Sequence, residues 1–92
     1  MKLKDLPNGA YFRYASSDML IYQKRVGPYR EGKGKKQVVM VERQYWRSEV
    51  DHVWRSCYSL AEERPPDALV VRVRMEVYPH DEKEIIREQE LL

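Results

Sequence analysis

The sequence has 92 residues, which is short for a single domain and leaves room for one modest core. Hydrophobic residues make up 42% of the chain and include seven Tyr and two Trp, too much apolar and aromatic surface for a disordered protein. A core of this size cannot easily give up contacts to enclose a substrate. A binding site is therefore expected on the surface or in a shallow groove.

The cysteine content and the hydropathy pattern indicate a reducing compartment. The single cysteine, Cys57, excludes an internal disulfide, and residues 1–5 contain no apolar run typical of a signal peptide. No segment approaches the roughly 20 apolar residues of a membrane span. We therefore expect a cytoplasmic protein, in a cell or in an infected host, without membrane association.

The two halves of the chain carry opposite charge although the net charge is only +2. Up to Glu49 there are 11 basic and 5 acidic residues, and after it 6 basic and 10 acidic, so the halves carry +6 and −4. This asymmetry favours one face for an anionic partner and an acidic tail that competes with it, docks on it or keeps the chain soluble.

Turn and strand signals divide the chain into five short strands. Pro7 and the Asn8-Gly9 pair predict a turn before the first strand. Residues 27–36 are rich in Gly and basic residues and predict an exposed loop, and residues 44–51 are interpreted as a second loop. Residues 62–67, which contain Pro65 and Pro66, predict a break, because proline cannot donate to a ladder. The predicted strands are residues 10–14, 19–26, 37–43, 53–60 and 69–77.

The last predicted strand carries the clearest periodic signal. Between residues 69 and 77, apolar side chains alternate with a largely polar set. This period of two predicts that Val71 and Val73 face the core, whereas Arg72 and Arg74 face solvent or a partner.

The residues after Pro79 are predicted to form a separate element. Asp81 and Glu84 have the spacing of a capping box, and Ile85 and Ile86 give the following segment a partial apolar side. The division is therefore a β domain at residues 1–79 and an acidic C-terminal helix or tail at residues 80–92. A helix of about 11 residues is marginal alone and would need docking.

The pattern predicts a mainly β protein, a small antiparallel SH3-like barrel of about five strands. An OB-type barrel and an open α+β sheet are the alternatives. Residues 6–13, Leu-Pro-Asn-Gly-Ala-Tyr-Phe-Arg, resemble the opening of small uncharacterised bacterial and phage barrel proteins that begin Leu-Pro-x-Gly-x-x-Phe-Arg. Asp67, before the final Val-rich strand, is also similar to theirs. The resemblance implies the fold class and no activity.

No residue pattern in the sequence predicts catalysis, a metal or a cofactor. His52 and Cys57, with Asp51 beside the histidine, have odd spacing, which in a strand places the two side chains on opposite faces. His80 is distant from His52, and no Cys-x-x-Cys motif is present. We therefore expect a protein that is not an enzyme, although SH3-like barrels include small RNases that cleave with basic residues.

Basic and aromatic residues interleave in the middle of the chain, and these are the predicted partner-binding residues. Positive charge among aromatic rings suits single-stranded RNA or DNA, because phosphates contact Lys and Arg while bases stack on the rings. Arg and Trp are also typical anchors of protein interfaces, and a solvated loop with core aromatics would have the same composition. We favour a protein-protein adaptor or inhibitor that docks on a larger complex, with nucleic-acid binding as the alternative. The residues are Lys24, Arg25, Tyr29, Arg30, Lys33, Lys35, Lys36, Arg43, Tyr45, Trp46 and Arg47.

Overall fold

The computed structural model describes residues 1–17, 19–30, 37–57, 59–78 and 85–90. It contains one 3-10 helix at Leu3–Asp5 and seven strands, so the predicted mainly β class is confirmed. The strands are β1 (Tyr11–Tyr14), β2 (Leu20–Arg30), β3 (Gln37–Arg47), β4 (Trp54–Ser56), β5 (Glu62–Arg64), β6 (Val70–Tyr78) and β7 (Ile85–Glu90).

The strands form one antiparallel sheet in the order β4-β3-β2-β1-β6-β7, and β5 pairs with the first half of β3. The long β2–β3 pair has three register shifts, which bend the two strands. The edge strands β4 and β7 approach within 8 Å by Cα positions, but no ladder joins them among the described residues. The sheet is therefore open, and the prediction of a closed SH3-like barrel is not supported.

The middle of the chain has longer strands than its turn signals predict. β2 continues to Arg30 and β3 to Arg47, so parts of both predicted loops belong to strands. The predicted strand at residues 53–60 is reduced to three residues. The predicted break at residues 62–67 is wrong for its first three residues, which form β5, because only the prolines that follow lack a ladder donor. The remainder of the first predicted loop, residues 31–36, lies outside the described residues.

The C-terminal prediction of a helix is wrong for residues 85–90. These residues form β7, which pairs with β6 from Val73↔Glu90 to Tyr78↔Ile85. A marginal helix would leave this edge of β6 without hydrogen-bond partners, whereas a strand satisfies it. The predicted capping residues Asp81 and Glu84 lie outside the described residues.

Two apolar clusters lie on opposite faces of the sheet, as the strand period of two requires. On β1, Phe12 belongs to the first cluster and Tyr11 packs against the second, and on β2 Tyr22 and Ile21 divide in the same way. The first cluster consists of Leu3, Leu6, Ala10, Phe12, Tyr22, Val39, Val41 and Val70, and the second of Ile21, Trp54 and Val73.

The predicted orientation of the last strand is confirmed from Val71 to Arg74 but not at its start, where Leu69 is 62% exposed. Val73 is buried at 2% exposure, Val71 is partly buried against the second cluster, and Arg72 and Arg74 are exposed. Val70, one residue before the alternating pairs, is buried in the first cluster. The start of β6 therefore contributes to both faces of the sheet.

The N-terminal segment packs across the first cluster and is held by backbone hydrogen bonds. Leu3 N donates to Ala68 O at 2.9 Å, and Lys4 N donates to Pro66 O at 2.9 Å. Leu3 is fully buried in the first cluster. The segment therefore connects the sheet core to the chain that enters β6.

Candidate hairpin docking site

The predicted partner-binding residues do not form one cluster. Four of them lie on β2 and four on β3, where successive side chains point to opposite faces of the sheet. Lys33, Lys35 and Lys36 lie outside the described residues. The side chains of Tyr29 and Arg30 are also outside the described part of the structure. The other six are a buried lysine, two acid-paired arginines and three residues at the end of β3: Lys24, Arg25, Arg43, Tyr45, Trp46 and Arg47.

Lys24 is not a surface residue, which corrects its assignment as partner-binding. Its side chain is 1% exposed, and Nζ donates to Leu6 O at 2.6 Å and to Lys4 O at 3.2 Å. Loss of hydration lowers the pKa of Lys24, and the nearby Asp5 carboxylate partly opposes this shift. The ammonium holds the N-terminal segment against the sheet and is not available to a phosphate.

Arg25 is exposed and Arg43 is partly buried, and each arginine has an acidic partner. Arg25 Nε lies 3.2 Å from a Glu42 carboxylate oxygen, and Arg43 Nη2 lies 3.5 Å from Glu62 Oε1. Glu62 also pairs with Arg64. These carboxylates reduce the positive field that a polyanion would meet.

The Glu62–Arg64 pair borders two tyrosines of the first cluster. The rings of Tyr14 and Tyr22 meet edge to face, with centroids 5.1 Å apart. Burial raises the pKa of Tyr14 to about 12, although the Arg64 charge acts in the opposite direction. A phenol with this pKa is protonated at neutral pH.

The β3–β4 hairpin has two cross-strand pairs that each join a tryptophan to an arginine. Trp46 is opposite Arg55, and Arg47 is opposite Trp54. The guanidinium carbon of Arg55 lies 5.8 Å from the Trp46 ring centroid, and that of Arg47 lies 5.5 Å from the Trp54 ring centroid. Both distances are within the range of cation–π attraction.

The two pairs differ in their burial because they lie on opposite faces of the hairpin. Trp54 is 6% exposed in the second cluster, whereas Trp46 is 39% exposed. We call the six residues of this region the hairpin end: Trp46, Arg47, Val50, Asp51, Trp54 and Arg55.

Asp51 fixes the position of Arg55. Its two carboxylate oxygens accept hydrogen bonds from Arg55 Nη1 and Nη2 at 3.2 and 2.6 Å. These bonds, with a further one from Val53 N at 3.1 Å, hold the pKa of Asp51 well below its usual range. The Arg55 guanidinium is therefore held within the hairpin by a bidentate ion pair with the Asp51 carboxylate.

The hairpin loop is ordered by its own hydrogen bonds. Ser48 Oγ accepts from Val50 N at 3.1 Å, and His52 N donates to Ser48 O at 3.0 Å. His52 has a φ of 56°, in the left-handed region. The loop leaves the Val50 side chain 92% exposed.

Trp46 and Arg47 are among the residues predicted from the sequence, whereas Val50, Asp51, Trp54 and Arg55 are not. A usable signal was present, since the dipeptide Trp-Arg occurs at residues 46–47 and again at residues 54–55. In an antiparallel hairpin centred between them, each tryptophan lies opposite the other arginine. Reading the second dipeptide as part of the same hairpin would have found the site.

Among the described residues no group of side chains could hold a metal ion, and the pKa of one cysteine is shifted. No group of three or more His, Cys, Asp or Glu side chains there is placed to hold a metal ion. Burial raises the pKa of the Cys57 thiol, which disfavours the thiolate that a nucleophile requires. No helix in the described part of the chain is long and apolar enough to span a membrane.

No protein-family model, curated protein or solved structure matches this chain.

Proposed function

We propose that the chain is a non-enzymatic protein-binding module, an adaptor or inhibitor, and that its partner docks on the hairpin end. The observation that carries the proposal is an exposed tryptophan held in a fixed position. Trp46 is 39% exposed, Arg55 covers its ring, and Asp51 fixes Arg55 through two hydrogen bonds. An aromatic anchor that is ordered before binding loses little conformational entropy when it is buried.

A second exposed apolar side chain in the β3–β4 hairpin supports a protein partner. Val50 is 92% exposed at the tip of a loop that its own hydrogen bonds restrain. Burying Val50 and Trp46 in an apolar cleft would remove both side chains from water, which is the main source of free energy in protein association.

The charges of the described residues favour a protein over a nucleic acid. Of the residues predicted to contact phosphates, Lys24 is buried, and Arg25 and Arg43 are paired with carboxylates. Arg55 already has a bidentate partner in Asp51. The experiments below therefore have to distinguish a protein partner from a nucleic-acid partner.

The experiment that tests the proposal is quantitative affinity capture from the source cell after nuclease treatment. We expect proteins that the wild-type chain retains and that both Trp46→Ala and Val50→Asp lose. Leu60→Asp is the matched control, because Leu60 is 90% exposed and lies outside the hairpin end. Retention of the same proteins by all four chains would overturn the proposal. So would proteins that the wild-type chain captures only when nuclease treatment is omitted.

A further inference from the structure

A second surface lies at the other end of β3, away from the hairpin end. Gln37 and Val38, at the start of the strand, face residues 63–67, which leave β5, and the two segments enclose an open groove of about 610 Å³. This volume is in the range of ligand-binding clefts. The groove shares no residue with the hairpin end.

The floor of the groove is apolar and rigid. It is formed by Val38 together with Pro65 and Pro66, whose rings fix φ and whose nitrogens carry no hydrogen. The two proline carbonyls already accept hydrogen bonds, from Ala68 N at 3.2 Å and from Lys4 N at 2.9 Å. An apolar ligand group can therefore cover this floor without leaving those carbonyls unsatisfied.

The rim of the groove presents carboxylates. Glu63 and Asp67 are exposed, whereas the Arg64 guanidinium is bound to Glu62 and to the Glu63 carbonyl oxygen. Lys2 and Lys4 lie 3.5 Å from Asp67 Oδ1 in solvent-exposed pairs. Such pairs contribute little and exchange readily, so a basic ligand can replace these lysines at Asp67.

The wall of the groove on the β3 side is a strand edge. β5 pairs only with Val39, Met40 and Val41, so among the described residues Gln37 and Val38 have no ladder partner on the side that β5 occupies. The backbone of this two-residue stretch can hydrogen-bond an extended peptide that lies in the groove.

We propose that this groove binds an extended peptide segment of a protein in which apolar and basic residues alternate. In an extended segment successive side chains point to opposite sides. Apolar side chains then contact Val38, Pro65 and Pro66, and the basic side chains reach Glu63 and Asp67. The protein would thereby have two docking surfaces at opposite ends of β3, as an adaptor requires.

The test is an NMR titration of the ¹⁵N-labelled full chain with two nine-residue peptides, one alternating Lys and Val and the other alternating Glu and Val. We expect the Lys peptide to shift amide signals at Gln37, Val38, Glu63 and Asp67 and the Glu peptide to leave them unchanged. Glu63→Gln should weaken the Lys peptide about two- to fivefold, the range of an exposed charge pair. Glu49→Gln, on the hairpin loop, is the matched control and should have no effect.

Three results would overturn this proposal. They are the absence of localised shifts up to about 1 mM peptide, equal binding of the two peptides, and an affinity that Glu63→Gln leaves unchanged. Trp46→Ala separates the two surfaces, since it should abolish capture at the hairpin end and leave peptide binding in the groove intact. Failure of either surface is therefore visible independently of the other.

Discussion

Replacing Lys24 by Met tests the strongest structural claim about the N-terminal segment. The substitution keeps a long, unbranched side chain and removes the ammonium that donates to Leu6 O and Lys4 O. An orphaned buried acceptor costs about 1–3 kcal/mol, and loss of the buried charge returns part of this cost. We expect the free energy of unfolding to fall by about 1–3 kcal/mol, with Tm falling roughly 4–8 °C for each kcal/mol.

The matched control is Arg25→Met, on the adjacent residue. Arg25 forms an exposed pair with Glu42, for which about 0–1 kcal/mol is expected. Urea denaturation followed by tryptophan fluorescence measures both variants. If Lys24→Met stays within about 0.5 kcal/mol of the wild type, or loses no more than Arg25→Met, the ammonium does not hold the N-terminal segment and the reasoning is refuted.

Three further predictions concern stability. Between the lowered pKa of Lys24 in the folded chain and its ordinary value of 10.5, the unfolded chain binds more protons, so the Lys24 contribution to stability should rise with pH. Between 10 and about 12 the folded chain binds more protons at Tyr14, whose pKa is raised, so the Tyr14 contribution should fall as pH rises. Urea titrations across this range should show that Tyr14→Phe removes this fall in stability. Val73→Asp places a carboxylate in the second cluster and should cost at least about 3 kcal/mol, whereas Arg72→Asp should stay within about 1 kcal/mol; equal losses in a thermal melt would contradict the register of β6. Truncation after Pro79 should leave a cooperatively unfolding domain, because every described residue of both clusters precedes it. A calorimetric scan without a cooperative transition would show that β7 is indispensable.

Local patterns predicted the features that depend on neighbouring residues alone. The alternation around Val73 gave the correct core face, because a strand period of two is a property of the backbone. The turn at Asn8-Gly9 also agrees with the structure, where Gly9 has a φ of 88°.

Features that depend on distant residues were not predictable from those patterns. Burial of Lys24 requires the carbonyl groups of Lys4 and Leu6, which approach only after the N-terminal segment has packed on the sheet. The segment around Ile85 has a helix-start signal in the sequence, yet the open edge of β6 makes a strand the better solution. The candidate site was found in part, since Trp46 was visible as an anchor while its partner Arg55 lies across a turn.

Partner affinity and dissociation measured at several salt concentrations distinguish a hairpin end that binds protein from one that binds nucleic acid. With a captured partner immobilised, Trp46→Ala should speed dissociation and cost about 2 kcal/mol or more, and affinity should change little between low and moderate salt. A nucleic-acid ligand would instead give a slope of log affinity against log salt of roughly −3 to −4 for four to six phosphate contacts. That slope, together with an affinity that Trp46→Ala leaves unchanged, would contradict a protein-binding hairpin end.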